Sequence, residues 1–207
     1  MKVIHFIGGG KELITSTSEK YDKILQAAIE VISEKGLDKT SISDIVKRAG
    51  VAQGTFYLYF RSKNALVPAI AENLLSLSLE KIKERAKTAT NFLSTLEVMI
   101  DETYKTTDEY RDVLVLCYSG LAFDYSLETW EAIYLPYYNW FEEILNEAVK
   151  KEEVIKQLNV KWTAKTMINL IENAAELFYI GREQDVTLEQ SKEELFQFLK
   201  RSLVPSV

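Results

Sequence analysis

Apolar residues Ile42, Ile45, Val46 and Ala49 recur at i, i+3, i+4 and i+7, the period of one face of a short helix. Ser41 with Asp44 three residues on suits a capping box there, and Thr40 is an equally suitable cap. The acidic side chain also favours the first turn, where the helix dipole is positive. Gly50 follows, where a residue without Cβ can turn left-handed and end the helix. A second short helix is predicted from about Ala52, with Phe56 and Phe60 facing back onto the first. Gln53, Gly54, Thr55, Tyr57 and Tyr59 then look outward. Two short helices joined by a tight turn, the second bearing outward polar groups, follow the plan of a helix-turn-helix whose second helix enters the DNA major groove.

The remaining pattern is helical throughout. Tyr21, Ile24, Leu25, Ala28, Val31 and Ile32 form a stripe that predicts a helix over about 19–35, closed by Gly36. Residues 1–17 read as a flexible arm: Gly8-Gly9-Gly10-Lys11 lacks the spacing of a phosphate loop and suits a solvated linker, or an arm that adds a DNA contact. A fourth helix is expected over about 63–87, with Ser62 as cap and Pro68 able to bend it. Further helices are predicted near 91–106, 108–119, 127–151, 160–181 and 188–203. Asp108 and Thr187 serve as N-caps, Pro136 should kink or split its segment, and Gly181 closes another. The expected fold class is all-α, with about nine helices: an arm (1–17), a three-helix head (18–70) and a helical body (71–207).

Composition fits that scheme: 47% hydrophobic and 27% charged residues allow a sizeable core, and three prolines and eight glycines leave few turns for an all-β fold. No apolar run approaches the roughly 18 residues of a membrane span, so no membrane association is expected. Residues 3–7 are too short for a secretory core, and a single cysteine, Cys117, fits a reducing compartment; a cytoplasmic protein is expected. The net charge of −6 is uneven: residues 18–70 sum to +2, whereas 71–207 sum to −9. Lys47, Arg48, Arg61 and Lys63 flank the predicted recognition helix, where a local basic face matters more than the total. An enzyme is not expected. The one histidine, His5, lies in the arm, and no His–Cys metal set or histidine triad can be built, so neither metal nor cofactor is expected. Glu142-Glu143 and Glu152-Glu153 read as solvated faces, and Cys117 as a small buried hydrophobe.

The stretch T-S-I-x-D-I (from Thr40) and A-G-V-A-x-G-T-F-Y-x-Y-F-x-S-K-x-x-L (from Ala49 to Leu66) resembles the TetR family of one-component bacterial and archaeal repressors. The likeness extends back over Ile24-Leu25-x-Ala27-Ala28 and Glu34-Lys35-Gly36, and covers about residues 18–70. The resemblance implies a homodimer that binds double-stranded operator DNA in the major groove and answers to a small hydrophobic or aromatic effector. Carried over position by position, the DNA contacts would be Ser41, Ser43, Gln53, Gly54, Thr55, Tyr57, Tyr59 and Lys63. Lys63 and the hydroxyls of Thr55, Tyr57 and Tyr59 would hold phosphates. Gln53, whose amide can pair bidentately with adenine, and Ser43 would read bases. The A-G-V-A-x-G-T-x-Y-L-Y-F form also looks like regulators of fatty-acid metabolism, although the head does not fix the pocket; a fatty acyl chain and a flat aromatic compound would both suit the aromatic belt of residues 104–141.

Aromatics crowd residues 104–141, and a pocket lined by rings with a few polar tips is a usual small-molecule site. Tyr104, Tyr118, Phe123, Tyr134, Tyr138, Phe141 and Phe178 are the candidate effector contacts. Glu172, Asn173 and Glu176 read as surface or dimer-rim groups, or as a site for a cationic or hydroxylated effector. The family resemblance implies a four-helix dimer bundle built from the last two helices, for which Met167, Ile171, Ala174, Ala175, Phe178, Leu195 and Leu199 supply the apolar stripes. The rival reading is a helical small-molecule-binding or protein-interaction module without DNA binding.

Overall fold

Ser41 decides where the second helix starts. Its hydroxyl accepts the Asp44 N–H at 3.1 Å, while the Ser41 N–H donates to the Asp44 carboxylate at 2.9 Å, a reciprocal capping box. Thr40, the other candidate, is buried and instead donates its hydroxyl to the Gly36 carbonyl at 2.7 Å. Gly36 and Gly50 both adopt left-handed backbone, φ 78° and 66°, and end the helices before them.

The computed structural model describes residues 11–115, 127–181 and 185–205, with side chains from Glu19 onward. Its helices are α1 (Lys11–Lys35), α2 (Ile42–Ala49), α3 (Gln53–Tyr59), α4 (Leu66–Ala86), α5 (Phe92–Glu109), α6 (Leu127–Lys150), α7 (Val160–Tyr179) and α8 (Leu188–Leu203). Residues 111–115 are helical as well, and no strand occurs among the described residues. The architecture is all-α. The chain divides into two compact units, Met1–Ile70 and Ala71–Val207.

In the first unit α1, α2 and α3 pack on one another around Ile24, Ala28, Ile32, Ile45, Phe56 and Phe60. The second unit is a bundle in which α5 lies against α6, α7 and α8. Its core includes Leu96, Met99, Tyr104, Tyr137, Phe141, Leu145, Ile168, Ile171 and Leu199. An ion network ties three of its elements. Asp101 on α5 receives Arg85 of α4 at 2.6 Å, Lys105 at 2.8 Å and Lys192 of α8 at 2.8 Å, and Arg85 also pairs with the buried Glu102.

Several boundaries differ from the sequence-based expectation. The arm assigned to residues 1–17 is helical from Lys11, because Lys11 to Ser18 contain neither glycine nor proline to stop α1. Pro68 does not interrupt α4: it is the third residue of the helix, where backbone N–H groups have no intrahelical partner to lose. Asp108 is not an N-cap, because α5 continues to Glu109. Thr103, Thr106 and Thr107 keep its buried stripe going past the point where apolar residues stop. Pro136 does not split α6; it lies on the exposed side, where the carbonyl it leaves unbonded at Ala132 reaches water. Glu153 is not a solvated bystander: its carboxylate accepts the Phe92 N–H at 2.7 Å, at the start of α5. Gly181 follows α7 as expected, but its glycine serves close approach, since a Cβ there would meet the Leu177 carbonyl at 2.6 Å.

Ser41→Ala should lower the stability of the first unit by about 1 kcal/mol, with Ser41→Asp close to wild type. Chemical denaturation of the three proteins checks this; equal stability of Ser41→Ala and wild type would contradict the cap.

Candidate functional site

Phe56 is fully buried and Phe60 nearly so, with ring centroids 5.5 Å apart; Tyr21 of α1 stacks on Phe60 at 5.3 Å. This inner face fixes the outer one. Gln53, Gly54, Tyr57 and Leu58 are exposed, Tyr57 at 51% and Leu58 at 80%, while Thr55 is half-buried. Gly54 has ordinary helical backbone, and a Cβ there would meet nothing within 4 Å, so nothing among the described residues requires a glycine. A helical glycine costs about 0.5–1 kcal/mol relative to alanine. The space it leaves open is available to something outside.

The other expected DNA contacts are placed unequally. Ser43 is exposed. Ser41 is exposed but its hydroxyl is engaged by Asp44, whose carboxyl is held well below the usual range by Lys35 and then by Ser41. Tyr59 is half-buried, its ring edge-on to Tyr21 at 5.8 Å. Lys63 is turned inward: its ammonium donates to the Leu37 carbonyl at 2.7 Å and the Thr40 carbonyl at 3.0 Å, clamping the α1–α2 turn. Arg48 does not flank the recognition helix as a free cation, because it bonds Glu34 at 2.8 Å and Glu30 at 3.2 Å on α1. The groove around Arg48, about 500 Å³, is lined by Glu19, Asp22 and Glu30 together with Lys23 and Arg48 itself, so it is not a basic face. Lys47 and Arg61 remain exposed.

In the second unit the aromatic belt is divided. Tyr104 is fully buried, its hydroxyl 2.8 Å from Ser191 and its ring against Phe178 and Tyr179. Phe141 is fully buried between Phe92 and Trp140. Tyr134 stacks on Tyr138 at 5.5 Å and donates its hydroxyl to Glu172 at 3.0 Å. Tyr118, Phe123 and Cys117 lie outside the described residues. Of the expected effector contacts among the described residues, only Tyr134 lines the open groove on α7, about 520 Å³, with Thr166, Asn169, Leu170, Glu172, Asn173 and Glu176. Burial, and then the nearby Glu176, pushes the Glu172 carboxyl up to about 8 although the Tyr134 hydroxyl opposes the shift. Tyr138 is pushed up to about 12, by burial and then by Glu131 and Glu172.

The apolar stripes assigned to a dimer interface fill this unit's own interior. Met167, Ile171, Ala175 and Leu199 are buried in a single chain, and Ala174, Phe178 and Leu195 pack half-buried against them. The outward side of the same helices carries Trp162, Leu177 and Phe198, each more than half exposed, and Leu170. The periodicity found the apolar side of each helix and could not say which neighbour covers it.

Comparison with known proteins decides the family. The profile described as "Bacterial regulatory proteins, tetR family" matches residues 24–70, and "Tetracyclin repressor-like, C-terminal domain" matches residues 96–203, more than half of the chain. This chain belongs to the TetR family of transcriptional regulators. It is 64% identical over 187 residues to the HTH-type transcriptional regulator YvdT of Bacillus subtilis, covering 90% of this chain and 96% of that protein. It is 27% identical over 156 residues to the fatty acid metabolism regulator protein of the same organism, covering 74% and 80%. Two solved structures share the fold. The fatty acid degradation regulator FadR of Bacillus halodurans has TM-score 0.71 at 22% identity, covering 87% of this chain and 97% of that one. FadR of Bacillus subtilis, solved with stearoyl-CoA, has TM-score 0.69 at 24% identity, covering 86% and 97%.

Two features of this TetR-family chain escaped the sequence reading. Leu58 was passed over because an apolar residue is read as core by default. Thr106 stands with Thr103 and Thr107 at i, i+3 and i+4 on the buried face, and its hydroxyl is buried without a hydrogen-bond partner among the described residues. Among the described residues no helix is long and apolar enough to cross a membrane.

Glu172 gives a pH prediction. A carboxyl raised on folding favours the folded state while protonated, and that contribution is lost as pH rises from about 4.5 towards about 8. Glu172→Gln keeps an acceptor for Tyr134 without the charge. Its melting temperature should rise relative to wild type across that window and stay higher above it; a difference independent of pH would contradict the assignment.

Proposed function

We propose that this regulator is an operator-binding repressor, acting as a homodimer and released by a small hydrophobic effector. The observation that carries the reading is the outer face of α3: a glycine with no internal reason to be there, flanked by exposed Gln53, Tyr57 and Leu58 on a helix clamped from behind by Phe56 and Phe60. A short exposed helix of this kind suits the major groove, with Gly54 admitting close approach of the backbone. Gln53 and Ser43 are the candidate base readers. Tyr57 and Thr55 are the candidate phosphate contacts, joined by the exposed Lys47 and Arg61. Lys63 contributes by holding the turn before α2, and its remaining N–H can still meet a phosphate. Ser41 and Tyr59 support the head more than they extend from it.

Dimerisation is assigned to the outward side of α7 and α8, through Trp162, Leu170, Leu177 and Phe198, in place of the buried stripe on the same helices. A symmetric pair would contact two half-sites about one turn of DNA apart, ~34–36 Å. The effector is assigned to the second unit. An acyl chain is favoured by the fatty-acid regulators among the relatives, one of which was solved with stearoyl-CoA. The unpartnered Thr106 hydroxyl supports a polar contact from α5, because a buried hydroxyl is normally satisfied. An effector that binds one spacing of the two heads better than the other shifts the dimer off its operator by that difference in affinity.

Gly54→Ala separates function from fold. It should raise stability by about 0.5–1 kcal/mol and weaken binding to a selected duplex at least tenfold at fixed salt. Unchanged DNA affinity would contradict the docking face. Leu177→Glu combined with Phe198→Glu should convert the protein to a monomer in sedimentation velocity; a persistent dimer would place the interface elsewhere.

A further inference from the structure

The outward crest of α3 carries one residue with no assigned partner. At about 100° per residue, Gly54 and Leu58 lie about 160° and 200° round the helix from Phe56, opposite the buried side. Leu58 is 80% exposed, and the position one turn before it, Gly54, has no side chain. A single exposed leucine needs no explanation on its own. This one stands beyond a notch that no described residue fills, so whatever surface α3 docks on meets Leu58 first.

Leucine has no donor or acceptor, so it can neither hold a phosphate nor read a hydrogen-bonding edge. In the major groove the apolar feature that distinguishes one base pair from another is the C5 methyl group of thymine. We propose that Leu58 is a specificity-determining residue that packs on a thymine methyl in each half-site. This rests on the DNA-binding reading above, and extends it by naming the base and the atom read. Gln53, a turn and a half earlier, reads by hydrogen bonds; Leu58 reads by shape and burial, so the two act on different base pairs.

The test begins with duplexes selected from a random pool by the full-length protein. In a selected duplex each dT is replaced in turn by deoxyuridine, which removes the C5 methyl and leaves every pairing and phosphate unchanged. Affinities are measured at one salt concentration for wild type and Leu58→Ala, a substitution at an exposed position that leaves the core intact. One deoxyuridine position per half-site should weaken wild type about three- to fivefold, the value of one buried methyl-sized group. At that position Leu58→Ala should bind the dT and deoxyuridine duplexes equally. A wild type indifferent to every deoxyuridine would overturn the assignment, as would a Leu58→Ala protein that keeps every methyl effect. Leu58→Ala that binds DNA like wild type but self-associates less would make Leu58 a protein contact and overturn it too. Failure to select any duplex would instead overturn the DNA-binding reading, and the Leu58 assignment with it.

Discussion

Burial of Phe56 and Phe60 is what the reading head depends on. A seven-residue helix is too short to be stable alone, so α3 persists because its inner side is packed against α1 and α2. Once those two rings are committed inward, the helical period leaves no freedom for the rest. Gly54 and Leu58 must form the crest, with Tyr57 on its flank; Gln53, the first residue of the helix, is exposed as well. The Ser41–Asp44 box, the left-handed Gly50 and the Lys63 clamp on the Leu37 and Thr40 carbonyls then set the turns that hold α2 and α3 together. Electrostatics are secondary in this unit. Arg48, which a charge count assigns to DNA, is spent on α1, and its pairing with Glu34 and Glu30 raises its already high affinity for the proton.

The second unit is organised by a different balance. Its core is aromatic and aliphatic, but polar groups are buried in it at definite places: Glu102 against Arg85, Tyr104 against Ser191, Tyr137 near Thr103, and Thr106 with no hydrogen-bond partner among the described residues, while Glu172 is half-buried against Tyr134 at the groove. Asp101 shows how such groups are tolerated: burial works to raise its carboxyl, and hydrogen bonds from Lys105, Lys192 and Arg85 outweigh it. Glu172 has one hydroxyl donor and a carboxylate neighbour, so burial prevails. A bundle that keeps incompletely satisfied polar groups inside is one in which a ligand can change the balance between packings.

Local rules were legible in the sequence wherever one residue type has one use. The α2 stripe, the capping glycines, Thr187 at the start of α8 and the inward Phe56–Phe60 pair follow from spacing and chirality alone. Prolines were less legible, because the cost of Pro68 and Pro136 depends on where in the helix and on which side each falls. Assigning partners to faces was least legible. Met167, Ile171 and Ala175 face the interior of their own unit, and Leu177 faces out, yet periodicity marks all of them as apolar. The same limit hid Leu58, since hydropathy cannot tell a leucine that serves a core from one that serves a surface. Lys63 and Arg48 show the converse: a cation near a predicted interface can be consumed by carbonyls or carboxylates that only the fold brings near.

The central claim is that α3 docks on DNA by the side opposite Phe56. Amide hydrogen exchange of the full-length protein, with and without a selected duplex at fixed salt, tests it most directly. The account predicts that the amides of residues 53–60, on so short and exposed a helix, slow markedly on adding DNA, with weaker slowing in α2 and none confined to α1. Protection of α1 or of the Glu30–Arg48 groove with residues 53–60 unchanged would contradict it.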